Sequence, residues 1–512
     1  MKFINAVKNF IHKSERLEKL AFLLWGVFWV LRAKKIFRKI ENTKNLGKPK
    51  IVILALRTIP TTSLVYFDAI FGHVFQKAGA EVLMLYCDGA MDSCDANTIL
   101  RGQASQCYVC QKFNCQMKKT LGLNTISYKD FISEKEIKEI KEEIKKIPDE
   151  KLSSYNYFGI NVGKHAHSSV VRYFLFGKLD MSDKEHVLML RNKLKYSMIG
   201  TKVASKVFEK EKPDIIFMLH GIYSTWGSFL SYFRSKKVDA IVYENRTPRN
   251  GYFSFFRNCE AFKIFAKDEW EKIKKIPLTR EEDNEISQYL EERFNGRTGE
   301  HLMFEKNIDK KSPKGLLMES LSDEGYERRY VIYPNVFWDE SIAGNESLIF
   351  GDGFSWLDKT IEYFEDKSNW QLIVKIHPGE LILEGCSKGL KEYIKEKHGS
   401  LPGNIVVLGP ETPIRAQELI TENMVCLTYN GTIGLEFAVL GVPVLAVGNA
   451  HYQEAGVVKK VESEEHFFRL LENPSGLFSF AKAQKELAKR YAHYYFFKTM
   501  VRVPFYDDDK WS

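Results

Sequence analysis

Short continuous apolar runs alternate with stretches of helical periodicity along most of this chain. Ile51 to Leu56 has the unbroken hydrophobicity of a strand buried on both faces, and a helical pattern follows from Leu64 to Ala78. A second run, Val82 to Tyr86, completes a β-α-β unit that ends at Cys87, Asp88 and Gly89. The stretch 87–115 interrupts the alternation as a loop-rich insertion. Beyond it the pattern predicts a charged helix over Glu134–Lys146, a polar loop entering a helix near Gly163–Ser169, and a long helix over 184–210. A strand over Asp214–Leu219 then ends at His220 and Gly221, followed by a helix over Ser228–Ser235 and a strand over Ala240–Tyr243. Residues 262–325 are polar and helix-rich and read as a linking region. A second series of strands opens at Arg329–Tyr333 and recurs at 372–376, 405–408, 424–428 and 443–447. An aromatic helix, Lys489–Met500, closes the chain.

Strands that alternate with helices make an α/β sheet covered on both faces. Two such series predict two facing Rossmann-like domains with a cleft between them. The expected boundaries are a basic amphipathic segment at 1–47, a first domain at 48–325 carrying the insertion at 87–115, and a second domain at 326–485. A C-terminal helix at 486–512 is expected to pack back on the first domain. The length of 512 residues fits more than one domain.

The formal charge of +9 belongs to one end of the chain. Residues 1–50 hold ten Lys and three Arg against three Glu, so the remainder is close to neutral. A nucleic-acid partner for the whole chain is therefore poorly supported. Within that segment an apolar run, Leu20 to Leu31, precedes Arg32, Lys34, Lys35, Arg38 and Lys39. The run is shorter than the about 20 residues that span a bilayer. Basic residues, and no small-residue cleavage site, follow it. The expectation is a helix lying in an anionic membrane surface with Trp25 and Trp29 at headgroup depth. A helix docked on the protein's own core is the alternative.

Eight Cys in a chain of this length are no disulfide framework and fit a reducing, cytosolic compartment. Cys94, Cys107, Cys110 and Cys115 nevertheless cluster as C-x12-C-x2-C-x4-C. The C-x2-C pair places two thiolates on one ion, and two further Cys close a tetrahedral structural zinc site. Uncoordinated thiols and a redox or iron–sulfur role are the alternatives.

The P-loop, G-x-G-x-x-G, G-x-S-x-G and H-E-x-x-H patterns are all absent. What the sequence does carry is polar chemistry at strand ends. Asn430, Gly431 and Thr432 follow the strand 424–428, and Thr432 opens an apolar helix containing Gly434 and Glu436. A strand, a glycine turn, a hydroxyl at the helix start and free backbone N–H groups make an anion site. Glu436, one turn in, suits a ribose hydroxyl pair. His377 and Pro378 end a neighbouring strand, and Asn335 ends the first one. Carboxyl ends of parallel strands converge on one crevice, so Asn335, His377, Pro378, Asn430, Gly431, Thr432, Gly434 and Glu436 form a candidate donor site for a sugar nucleotide. In the first domain His220 is a candidate general base for an acceptor hydroxyl. Arg246, Arg249 and Tyr252 are candidate contacts to an anionic donor or acceptor.

Tyr333-Pro-Asn-Val-Phe-Trp-Asp339, His377-Pro-Gly-Glu380, Gly431-Thr-Ile-Gly-Leu-Glu436 and Gly441-Val-Pro-Val444 together resemble the bacterial capsule polysaccharide biosynthesis family. So do His220-Gly-Ile-Tyr223 with Trp226 and Gly227, and the closing Tyr491-Ala492 with Phe496-Phe497. The resemblance implies a GT-B fold and a glycosyltransferase, with His377 on the donor phosphate and Thr432, with the Gly431 and Ile433 backbone, cradling it. Some members use CMP-activated ulosonic acids. A basic residue sometimes found in the glycine-threonine motif is missing here, so charge compensation is expected from Lys375, Arg415 or the first domain.

The resulting expectation is transfer of a sugar from a nucleotide donor to a surface polysaccharide or lipid-linked glycan in capsule or lipopolysaccharide biosynthesis. The enzyme would sit on the cytoplasmic face of the inner membrane and need no metal cofactor for catalysis. A CDP-polyol phosphotransferase of wall or capsule polymers and a non-enzymatic assembly or export partner are the rival readings.

Overall fold

A computed structural model describes residues 31, 33–38, 40, 47–56, 64–91, 95, 107, 110, 111, 122–244, 251–261, 266–298, 318, 319, 321, 322, 324–339, 349–383 and 389–503. The apolar run 20–30, Cys94, Cys115, Arg246 and Arg249 lie outside them.

In the first domain the chain runs β1 (Lys50–Leu54), α1 (Leu64–Lys77), β2 (Glu81–Tyr86), β3 (Thr125–Ser127), α2 (Glu134–Lys145), β4 (Asn156–Tyr157), β5 (Ile160–Asn161) and α3 (Val162–Phe174). It continues through α4 (Lys184–Glu211), β6 (Ile215–Leu219), α5 (Gly227–Ser235), β7 (Asp239–Glu244) and β8 (Tyr252–Arg257). Local chemistry fixes the helix starts: Ser133 and Glu136 form a reciprocal cap on α2, and Asp183 caps α4. The second domain holds α6 (Lys267–Ile273), α7 (Arg280–Phe294), β9 (Arg328–Tyr333), α8 (Gly353–Glu365), β10 (Trp370–Lys375), α9 (Leu390–His398), β11 (Ile405–Leu408) and β12 (Met424–Thr428). After these come α10 (Ile433–Leu440), β13 (Val444–Ala446), α11 (His451–Glu454), β14 (Lys459–Lys460), α12 (Glu464–Glu472), α13 (Ser475–His493) and finally β15 (Met500–Arg502).

The second sheet is six-stranded, wholly parallel, in the order β11-β10-β9-β12-β13-β14. That is the doubly wound Rossmann order, with its reversal between β9 and β12. The first sheet is seven-stranded, β15-β8-β7-β6-β1-β2-β3, and reverses between β1 and β6. Its β3, β2, β1, β6 and β7 are parallel, whereas β8 and β15 add as antiparallel strands. The expected α/β architecture of two Rossmann-like sheets is thus present. Alternate residues of β9 bury on opposite faces: Val331 and Tyr333 in one apolar cluster, Tyr330 and Ile332 in another.

Three features differ from the sequence expectation. The helix-rich stretch read as a linking region carries helices, α6 and α7, but their Trp270, Ile286, Tyr289 and Leu290 are buried in the core of the second domain. A polar composition hid one apolar stripe on each helix. The closing helix α13 lies against α7 and α10 of the second domain, and the chain returns to the first sheet through β15, paired with β8. His165 sits inside α3, buried, where a polar loop was expected.

Residues 33–37 are helical, with Ala33 and Phe37 buried in the first domain and Phe37 stacked on His73 at 4.0 Å. Leu31, Lys34, Lys35 and Arg38 face outward. Among the described residues no helix is long and apolar enough to cross a membrane.

The domains touch where the loop after α3 meets the loop after β9. Trp338 packs on Val171 and Leu175, and the Arg172 guanidinium lies 5.2 Å from its ring centre. Phe176 meets Phe354 at 5.1 Å.

Candidate functional site

In open α/β sheets a ligand binds outside the carboxyl ends of the strands where strand order reverses. In the second sheet those ends are Tyr333 of β9 and Thr428 of β12, which lie in register. The Thr428 hydroxyl donates to the Tyr333 carbonyl at 3.0 Å. One step further, Asn335 Oδ1 accepts the backbone N–H of Asn430 at 3.0 Å. The Tyr452 hydroxyl donates to the Gly431 carbonyl at 2.8 Å. The turn between β12 and α10 is therefore held from three sides. Gly434 is required here, because a Cβ would stand 2.4 Å from the Tyr452 hydroxyl. The Gly434 N–H bonds the Gly431 carbonyl, and the Glu436 N–H bonds that of Thr432. The N–H groups of Gly431, Thr432 and Ile433 precede those bonds, and such groups form the positive end of a helix.

Thr432 has helical backbone angles and makes no side-chain cap. Its Oγ1 instead accepts from Nη2 of Arg293 at 3.3 Å. Arg293 also binds Glu436 Oε1 through Nε at 3.0 Å and Nη2 at 2.7 Å, with both side chains buried. The Arg293 guanidinium lies over Phe496 at 5.3 Å. Arg293 did not figure among the candidates from sequence. Its signal was the stripe Ile286, Tyr289, Leu290 and Arg293 at helical spacing in α7, whose members are all buried. One oxygen of Glu436 is committed to Arg293, so a ribose contact would call on Oε2.

His377 follows β10 and is exposed. Its Nδ1 accepts the Gly379 N–H at 2.9 Å, so a neutral ring carries its proton on Nε2. Pro378 begins the turn Pro378–Leu383. In that turn Glu380 is buried, accepts the Leu390 N–H at 2.8 Å, and is pushed up to about 7 by burial. Lys375, the last residue of β10, is lowered to about 8 by the same cause. Arg415 donates to Asn295 Oδ1 at 3.2 Å.

The first sheet repeats the logic at its own reversal. His220 follows β6 and donates its backbone N–H to the Tyr243 carbonyl at 3.0 Å. It is 1% exposed, its ring lies edge-on to Trp226 at 4.5 Å, and its φ of +23° is strained for a residue with a Cβ. Distant side chains hold the loop that follows. His165 Nδ1 meets the Ile222 carbonyl at 2.7 Å, and Ser169 accepts the Ser224 N–H at 2.8 Å. Asp95 accepts both the N–H and the hydroxyl of Thr225, at 2.9 and 2.6 Å, and pairs with the buried Lys193 at 3.2 Å. Asp95 comes from the cysteine-bearing insertion, and no pattern in the sequence linked it to this loop. Beside them Asp68, raised to about 8 by burial, accepts from the Tyr243 hydroxyl at 2.8 Å. Tyr252 opens β8 and pairs with Arg502.

Of the four clustered Cys, Cys107 and Cys110 are described and form no disulfide. Among the described residues no group of three or more His, Cys, Asp or Glu is arranged to hold a metal ion.

A double Rossmann-like α/β protein with polar side chains gathered at both sheet reversals is thus defined. Residues 260–506 match the model of the family described as capsule polysaccharide biosynthesis protein, and the motifs at 333–339, 377–380, 431–436 and 441–444 all fall inside that span. No curated protein matches the chain. Solved structures with a similar trace include KpsC of Thermosulfurimonas dismutans, described as a beta Kdo 2,4 transferase, at 14% identity and TM-score 0.30, over 53% of this chain and 80% of that one. The UDP-GlcNAc 2-epimerase of Neisseria meningitidis bound to UDP-GlcNAc gives 12% and 0.26, over 88% and 99%. The glycosyltransferase SnogD of Streptomyces nogalater gives 11% and 0.23, over 87% and 98%. At such scores the fold stands on its strand order, not on these neighbours.

Proposed function

We propose that this protein is a glycosyltransferase of capsule or related surface-glycan synthesis, which moves a sugar from a nucleotide donor to a polysaccharide or lipid-linked acceptor. The observation that carries the reading is the Asn335–Asn430 hydrogen bond, which pins a glycine turn and a helix start at the reversal of a Rossmann sheet. The family match over the same residues supports it. As the glycosidic bond of the donor breaks, negative charge grows on the leaving phosphate. The N–H groups at the start of α10, the Thr432 hydroxyl and His377 Nε2–H would receive that charge without a divalent metal. His220 would accept the proton of the acceptor hydroxyl, with Arg246, Arg249 and Tyr252 contacting the anionic groups. Helix 33–37 displays Lys34, Lys35 and Arg38 outward and so supports a peripheral site on an anionic membrane, where a lipid-linked acceptor would be met. A structural zinc on Cys94, Cys107, Cys110 and Cys115 is proposed separately, and metal analysis of wild type against Cys107→Ser tests it.

The test is a calorimetric and thermal-shift screen with CMP, UDP, GDP and CDP. Binding of one nucleotide, weakened in His377→Ala at unchanged fold, is expected. The product assay then separates the enzyme classes, because a phosphodiester in the polymer would mean a CDP-polyol phosphotransferase. Silence toward all four nucleotides would favour the non-enzymatic partner.

A further inference from the structure

We propose that Arg293 is a positioning residue of the donor site: its guanidinium turns the Thr432 hydroxyl into a hydrogen-bond donor for the leaving phosphate and cancels the charge of Glu436 beneath it. The inference rests on the donor-site reading above.

A threonine hydroxyl has one hydrogen and two lone pairs. At a helix start it ordinarily spends a lone pair on a backbone N–H of the first turn. Thr432 makes no such cap. Nη2 of Arg293 occupies a lone pair at 3.3 Å, and an arginine N–H only donates. The hydroxyl hydrogen is thereby left to point away from Arg293. Among the described residues Thr432 Oγ1 donates to no partner. A phosphate oxygen at the N-terminus of α10 is the acceptor that this polarity fits.

Glu436 raises the second question. A carboxylate buried one turn into the helix opposes any anion at its start. Nε and Nη2 of Arg293 both bind its Oε1, so the pair is neutral as a unit. Only a planar fork can place two donors on that oxygen and still reach Thr432; an ammonium group is a single point charge. The guanidinium is held against Phe496 and Tyr289, at 5.3 and 5.9 Å from their ring centres. Those rings come from the segment after α13 and from α7 itself.

The experiment titrates CMP and UDP, and their parent nucleosides cytidine and uridine, into the full chain by calorimetry. Arg293→Met alone leaves Glu436 buried without its partner and risks unfolding, so the informative variant is Arg293→Met with Glu436→Leu, which removes both charges together. Its melting temperature reports folding independently. The folded double variant is expected to bind the preferred nucleotide about tenfold or more weakly, the size of one charge-assisted hydrogen bond network at a phosphate. Glu436→Leu also removes the candidate ribose contact, so the split between nucleotide and nucleoside is read on variants that keep Glu436. Arg293→Lys and Thr432→Val are expected to lose nucleotide affinity while binding of the nucleoside stays near that of wild type, a split that a purely structural role would not produce, and Thr432→Ser to rescue it. A folded double variant that binds the nucleotide as wild type does would overturn the proposal while leaving the donor site standing. A wild type that binds none of CMP, UDP, GDP and CDP would overturn the donor-site reading and the proposal with it.

Discussion

Asn335 and Asn430 join the two halves of the second sheet: the side-chain carbonyl of one accepts the backbone N–H of the other at 3.0 Å, across the gap where strand order reverses. The bond ties the loop after β9 to the turn before α10, so the two walls of the crevice cannot drift apart. Asn335→Ala removes the acceptor and is expected to cost about 1 kcal/mol of stability. Asn335→Asp keeps an acceptor but sets a carboxylate beside the proposed anion site. Its melting temperature should stay near that of wild type while nucleotide affinity falls about tenfold or more, since a like charge is being added at close range. Denaturant melts and calorimetry read the two effects separately. An Asp variant that binds as tightly as wild type would place the phosphate elsewhere.

Gly434 is fixed by crowding. Its φ is not in the left-handed region, but a Cβ there would sit 2.4 Å from the Tyr452 hydroxyl and 2.8 Å from its Cζ. Gly434→Ala must push the ring away and break its bond to the Gly431 carbonyl. A loss of about 1–3 kcal/mol is expected from overpacking. Combining it with Tyr452→Leu, which vacates the space, should recover part of that loss. If the double variant melts lower than the sum of the two single losses, the clash is not the cause.

The strand ends were readable because each closes an apolar run with a polar residue: Leu219 before His220, Ile376 before His377, Tyr429 before Asn430. Sequence therefore showed which residues stand at carboxyl ends. It did not show what lies behind them. Arg293 is 143 residues from Glu436, and Asp95 is 130 from Thr225. Pairing at such distances is decided by how helices pack, not by local periodicity. The helicity around α7 was legible, but its inward face was not, because its surface is strongly charged and only Ile286, Tyr289, Leu290 and Arg293 are buried. The aromatic residues of 333–339 carried a double meaning. Asn335 serves the crevice, whereas Phe337 and Trp338 are spent on packing and on the domain contact.

Two buried groups near the second-domain site give opposite pH dependences. Burial lowers His451 to about 3 from an ordinary value of 6.5, and its Nδ1 lies 2.8 Å from the Tyr491 hydroxyl. Below pH 6.5 the unfolded chain takes up a proton that the folded chain refuses, so stability falls as pH drops from 6.5 toward 3. Glu380, raised to about 7 from 4.5, works the other way: between those values the folded chain keeps a proton that the unfolded chain releases, so stability falls as pH rises. Between pH 4.5 and 6.5 the two partly cancel. Each contributes at most about 1.4 kcal/mol per pH unit. His451→Phe should make the protein gain stability on acidification across that window, and Glu380→Gln, which keeps an acceptor for the Leu390 N–H, should make it lose more. Urea midpoints at pH 5 and 6.5 decide the matter; parallel shifts in both variants would contradict the assignment.

The last relationship joins the domains. A Cβ on Gly177 would stand 2.6 Å from Phe337 Cβ and 2.7 Å from the Phe337 carbonyl oxygen. The obstacle is backbone, so no side-chain rotation relieves it. Gly177→Ala must therefore move the loop after β9, or separate the domains at the place where Trp338 packs on Val171 and Leu175. That loop also carries Asn335. A substitution in the first domain is thus expected to weaken nucleotide binding in the second, about tenfold if the Asn335–Asn430 bond is lost. Stability should fall by about 1–3 kcal/mol. Trp338→Ala removes the same contact by deletion and should give a comparable loss of stability without displacing the loop, so nucleotide affinity should hold better than in Gly177→Ala. Calorimetric melting alongside nucleotide titration distinguishes the two. If Gly177→Ala binds nucleotide like wild type and melts at the same temperature, the loop is free of the first domain and the coupling does not exist.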